Sequence, residues 1–261
     1  MNDYLEIDYG LECLAVAYKS NHAEIFKSTL DAIHSGICEE VVELFDGWSP
    51  RFSRQTYLTC MSEHQDAEDN YGRLSMWRAY GGVTRVAIVL NNTPFLSDSD
   101  ALGVKTSPVE YLSHSRFQQE FKGIGEAVRT YSDLLKSESR DMLKARIFNM
   151  FKFAALCTKH PGFGEEKEWR IIYTDELSRS EKLVRAVKVI GGTPQPVYKI
   201  PLVDIPGEGL IDVEVPKILN RIIIGPTEHP IVSRDAFVEV LERSGVENPD
   251  EKVFVSDIPL R

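Results

Sequence analysis

Three carboxylates fall within four residues in Glu165-Glu166-Lys167-Glu168, and Trp169-Arg170-Ile171-Ile172-Tyr173 follows at once. Clustered like charges raise one another's pKa and cost free energy unless a cation or a hydrogen-bond donor offsets them. The segment leaves a loop, His160-Pro161-Gly162-Phe163-Gly164, and enters a β-branched and aromatic run that reads as a buried strand. Side chains alternate along a strand, so Glu166, Glu168 and Arg170 are expected on one face and Lys167 and Trp169 on the other. Two carboxylates so placed can orient a hydroxyl or stabilise a developing cation. The bland alternative is a set of solvated loop acids paired with Lys167 and Arg170, since perturbed carboxylates mark functional sites only statistically.

The elements that must position these residues are readable from periodicity. Apolar residues at three- and four-residue steps from Leu11 to Phe45 predict amphipathic helix, broken near Ser35-Gly36 and ended by Asp46-Gly47-Trp48-Ser49-Pro50. Tyr57 to Met61 reads as a core strand, and the acidic loop Ser62 to Asp69 lacks the residue order of a calcium loop. Trp77 and Tyr80 share one face of a helical turn before Gly81-Gly82, as a ring-binding slot or simply as core. Arg85 to Leu90 predicts a buried strand, and residues 91–113 a connection with short strands near Val104 and at Val109-Tyr111. Apolar stripes then predict two helices, over 117–135 and around 147–154. Strands follow at Val184–Ile190 and Val197–Leu202 around a Gly191-Gly192-Thr193-Pro194 turn. Ile222-Ile223-Ile224, a helix capped by Ser233 or Asp235 and running through Leu241, and a strand at Lys252–Ser256 complete a C-terminal β-α-β unit. The expected class is α+β: mixed, mostly antiparallel central sheets flanked by helices, in a single domain over 1–261 with a helical N-terminal part at about 8–46.

Composition narrows the function classes. The 261 residues carry a net charge of −10, which argues against broad phosphate-driven binding to nucleic acid or to an anionic membrane. A soluble cytoplasmic protein is the expectation, because no apolar run reaches membrane-span length and the N-terminus lacks signal character. Cys13, Cys38, Cys60 and Cys157 form no C-x-x-C pair and read as buried thiols. Cys60, near Ser62 and His64, reads as packing rather than as a nucleophile. Phosphate-loop, dinucleotide-fingerprint, serine-elbow and H-E-x-x-H spacings are all missing.

Several segments together resemble a bacterial family known as domain of unknown function 2971. They are Met1-Asn2-Asp3 with Glu6, Thr59-Cys60-Met61-Ser62-Glu63, Met76-Trp77-Arg78-Ala79-Tyr80-Gly81, Glu166-Lys167-Glu168-Trp169-Arg170, Ile222-Ile223-Ile224-Gly225-Pro226 and Ser256-Asp257-Ile258-Pro259-Leu260-Arg261. Members of that family usually begin with a strand bearing a His-Tyr-Thr-like motif, and this chain, whose Met1 falls inside the segment that follows it, is expected to lack that strand. The family is in turn distantly similar to ADP-ribosyltransferases. That resemblance implies NAD as co-substrate with an unknown acceptor, Glu168 stabilising an oxocarbenium-like ribose and Glu166 orienting the acceptor. It also implies the nicotinamide against Tyr80 or Trp77, and Arg78 and Arg170 among the NAD-binding residues, Arg78 near a phosphate. A toxin or phage-defence effector would fit. Two alternatives stay open: a metal-dependent nuclease or hydrolase holding magnesium through Asp3, Glu6, Glu166 and Glu168, and a non-catalytic binding module in which the aromatics are core.

Overall fold

The apolar spacing between Leu11 and Phe45 produces helices with a break where expected. In the computed structural model, residues 4–82 and 85–259 are described, apart from the side chains of residues 4–6 and Ser53. The first helices are α1 (Tyr4–Lys19), α2 (Glu24–Ile33) and α3 (Ile37–Gln55). Gly36 separates α2 from α3 at φ +79°, a conformation that glycine adopts without a Cβ clash. The stop expected at Asp46–Pro50 does not occur, because α3 continues through Pro50. Phe45, Trp48 and Phe52 lie on one face of α3, with ring centroids 6.1, 6.3 and 6.2 Å from that of Phe148. Their burial offsets the helix-interior proline, which costs about 3 kcal/mol.

In chain order there follow β1 (Thr56–Ser62), α4 (Leu74–Tyr80), β2 (Val86–Leu90), β3 (Lys105–Pro108), β4 (Glu110–Tyr111), α5 (His114–Thr130), α6 (Ser132–Leu135) and α7 (Arg140–Leu156). The remainder comprises β5 (Thr158–Lys159), β6 (Glu168–Thr174), β7 (Val184–Ile190), β8 (Thr193–Lys199), α8 (Val215–Ile218), β9 (Leu219–Ile224), α9 (Pro230–Arg243) and β10 (Val253–Val255). This is an α+β chain, with helices flanking small, mostly antiparallel sheets. Among the described residues no helix is long and apolar enough to cross a membrane.

Two compact units are interleaved in sequence, one from residues 1–61 and 107–178, the other from 62–106 and 179–261. The first packs helices around phenylalanines: Phe26 lies 5.2 Å from Phe121 and 6.1 Å from Phe151, centroid to centroid. Its strands form the sheet β1-β6-β3 and the parallel pair β4-β5. Strand β6 is buried nearly throughout, as its sequence predicts, whereas β1, expected in the core, is half-exposed at most positions.

The second unit contains the C-terminal β-α-β. Strand β9 pairs parallel with β10 and antiparallel with β2, and Leu241 of α9 packs with Ile222, Ile224 and Val253. Helix α9 opens at Pro230, whose fixed φ suits a first turn, instead of being capped by Ser233 or Asp235. Strand β2 is only half-buried, and Ile88 faces solvent, so its apolar run overstated its burial. Strand β8 begins at Thr193, earlier than expected, and pairs with β7 across Gly191-Gly192.

Candidate functional site

The geometry around Glu168 begins at the C-terminus of α7. Cys157 closes that helix, β5 follows, and Lys159 is placed with only 3% of its surface accessible. Residues 161–166 form a short 3₁₀ turn opened by Pro161, and His160 accepts a hydrogen bond through Nδ1 from the Gly162 N–H at 3.1 Å. Lys167 then adopts φ +44°, the left-handed region, before β6 starts at Glu168. Glu166 therefore lies outside the strand. It meets the same partner as Glu168 because of this left-handed residue rather than because of strand alternation. A left-handed non-glycine residue costs about 1–3 kcal/mol, which the ionic contacts on either side of it must offset.

Those contacts form one cluster. The Lys159 ammonium donates to Glu166 Oε2 at 2.6 Å and to Glu168 Oε2 at 3.1 Å. Arg170, fully buried, donates from Nε to Glu168 Oε1 at 2.7 Å and from its guanidinium to the Leu156 carbonyl at the end of α7. Arginine is a suitable choice here, since it holds its charge when buried and satisfies a helix-terminal carbonyl as well. The Glu168 backbone N–H donates to the Tyr111 hydroxyl at 2.8 Å. Lys159 also sits 4.9 Å from the centroid of the Phe163 ring, which is 49% exposed.

Burial alone would raise the Glu168 pKa. Hydrogen bonds from Arg170, the Cys60 thiol and Lys159, together with the charge of Arg170, outweigh it and hold the carboxyl below its usual range. Glu168 is thus an ionised carboxylate and a poor proton donor near neutrality. Tyr111 is pushed the other way: burial and the charges of Glu168 and Glu166 raise its hydroxyl pKa against the hydrogen bond from the Glu168 N–H. Cys13, Cys38 and Cys157 are buried as expected, but Cys60 is exposed and its thiol serves the Glu168 carboxylate.

The structure brings Glu166, Glu168 and Arg170 together in the first unit. Trp77, Arg78 and Tyr80 belong to the second. There the Trp77 indole is buried, donates to the Tyr71 carbonyl at 2.8 Å and packs where a Cβ on Gly72 or Gly225 would intrude. Arg78 and Tyr80 are exposed. The aromatic pair is thus divided between core and surface, although both residues lie on one short helix. Sequence reasoning did not find Tyr111, Phe163 or the role of Cys60. Tyr111 and Cys60 reach the cluster from other strands, and Phe163 is turned toward Lys159 by the 3₁₀ turn that also carries Glu166; no local pattern signals either.

Residues 76–171 match the family model described as Protein of unknown function (DUF2971). The match covers a little over a third of the chain and supports the DUF2971 resemblance read from the sequence. It contains Trp77, Arg78 and Tyr80 as well as Glu166, Glu168 and Arg170, and it ends inside β6. No curated protein and no solved structure matches the chain.

Among the described residues no group of three or more His, Cys, Asp and Glu side chains is arranged to hold a metal ion. Asp3, and the side chain of Glu6, lie outside the described residues, so the four-carboxylate magnesium set is represented only by Glu166 and Glu168. Both already receive the Lys159 ammonium.

Proposed function

We propose that the chain is a bacterial NAD-consuming enzyme, an ADP-ribosyltransferase or NAD glycohydrolase acting in the cytoplasm as a toxin or phage-defence effector. The observation that supports this reading is the ionised Glu168 carboxylate, buried beside Glu166 and fixed by Arg170 and Lys159. Breaking the bond between ribose and nicotinamide develops positive charge on the ribose. A carboxylate already ionised and already oriented stabilises that charge without reorganising at the moment of reaction. Glu166, less deeply buried, is the carboxylate that orients the acceptor. Phe163, held near Lys159, adds an exposed ring for a planar group.

A non-catalytic module is the second reading, favoured by one observation: each Glu168 oxygen already has a cationic donor within the unit. The two readings separate when purified protein is incubated with NAD, nicotinamide release is followed, and NAD binding is measured by ligand-observed NMR. Catalysis predicts that Glu168→Gln lowers release by at least about 100-fold while the circular dichroism spectrum is kept, and that Glu166→Gln suppresses transfer to the acceptor. Neither NAD binding nor release by the unsubstituted chain, with Glu168→Gln altering stability only, would overturn the enzymatic reading in favour of the module.

A further inference from the structure

The β7–β8 hairpin is a two-stranded sheet among the described residues, and its two outer edges are unlike. Gly191 and Gly192 have φ +56° and +81°, both left-handed as a two-residue type I′ turn requires, and Ile190 faces Thr193 across it. Such a turn makes Ile190↔Thr193 a hydrogen-bonded pair. By alternation Val189↔Pro194, Val187↔Pro196 and Arg185↔Tyr198 are non-hydrogen-bonded pairs, whose backbone groups point outward. The positions of the two prolines agree with this register, since a residue without an N–H costs the ladder nothing there. The outer edge of β8 consequently lacks two donors and resists a third strand. The outer edge of β7 keeps the N–H and C=O groups of Arg185, Val187 and Val189.

The side chains along that open edge are apolar and basic. Val187 and Val189 are 72% and 69% exposed and share a face with the exposed Pro194 and Pro196. Residues 184–199 contain Arg185, Lys188 and Lys199 and no acid, in a chain of net charge −10. Among the described residues none of these three cations forms an ion pair. We infer that the open edge of β7 docks an extended, acidic segment of a partner protein as a third strand. Main-chain bonds would supply the alignment, the valines a contact for alternate apolar residues, and Lys188 on the opposite face, with the charge of Arg185 at the end of the valine row, the preference for acids between them. A second copy of this hairpin is disfavoured as occupant, because pairing β7 with β7 would set these cations against their own kind.

The test uses ¹⁵N-labelled full-length chain titrated with a synthetic nine-residue peptide alternating valine with aspartate or glutamate, and with a second peptide carrying lysine at the acidic positions. The acidic peptide is expected to shift the amides of Arg185, Val187 and Val189 and to bind about tenfold or more tightly than the basic one, with affinity falling as salt is raised. Val187→Pro places a second proline opposite Pro196, sacrifices no hairpin hydrogen bond and is expected to weaken binding about tenfold or more. The double substitution Arg185→Glu with Lys188→Glu, which leaves the backbone edge intact, is expected to reverse the peptide preference. The inference is overturned if neither peptide binds at about millimolar concentration, if both bind equally, if the shifts fall elsewhere, or if the edge mediates self-association that Val187→Pro abolishes.

Discussion

Glu168 carries its charge at a depth where charge is costly, and that cost sets how the protein responds to acid. Its folded pKa lies below the ordinary carboxyl value of 4.5, so it contributes stability that is complete above that value and lost as pH falls through the lower, folded one. Urea unfolding between pH 7 and pH 3 is expected to show a drop in stability below about pH 4.5 that Glu168→Gln makes shallower, because glutamine has no proton to take up. At neutral pH the same substitution is expected to cost stability, since Arg170 and Lys159 lose a buried counter-charge. An acid limb unchanged by Glu168→Gln would show that other carboxylates dominate it. The pairing of Glu168 with Arg170 was legible two residues apart on a strand. The partner in β5, Lys159, was not, because it reaches the mouth of β6 only when the loop of residues 160–167 folds back on itself. Glu166 illustrates a further limit: its place in the cluster depends on a left-handed backbone at Lys167, a conformation that lysine as a residue type does not advertise.

At the scale of elements, what could be read was what periodicity carries: the helices of the first unit, β6, and the C-terminal β-α-β. What could not be read was how long an element persists once tertiary packing acts on it. Pro50 was a reasonable stop by local chemistry, yet the ring contacts of Phe45, Trp48 and Phe52 carry α3 past it. Pro194 read as a turn residue, but it and Pro196 occupy strand positions where their missing donors are not needed. Helix α1 conceals a similar constraint at Gly10, where an added Cβ would stand 1.9 Å from the Ala155 carbonyl oxygen of α7. Because the obstacle is backbone, it cannot rotate away. Gly10→Ala is expected to destabilise the protein by about 1–3 kcal/mol through overpacking, despite alanine's higher helix propensity, as measured by urea unfolding at neutral pH. A neutral or stabilising result would mean that α1 moves freely along α7.

At the scale of the whole molecule, the chain passes between units at 61/62, 106/107 and 178/179, so each unit is assembled from two separated segments. The DUF2971 match at 76–171 likewise begins in one unit and ends in the other. No single cut therefore yields a complete unit. Fragments 1–106 and 107–261 are each expected to lack a cooperative unfolding transition when expressed alone, by circular dichroism and thermal melting, because each holds only parts of both cores. A cooperative melt from either fragment would contradict this division. The interleaving also bears on the order in which the chain leaves the ribosome. Phe26 and Phe45 of α2 and α3 find their ring partners at Phe121, Phe148 and Phe151. About 100 residues separate the end of α3 from the end of α7, roughly five to twenty seconds of synthesis at about 5–20 residues per second. During that interval the nascent N-terminal helices present an uncovered aromatic face, which makes this stretch of translation the natural point for a holding chaperone to engage the protein.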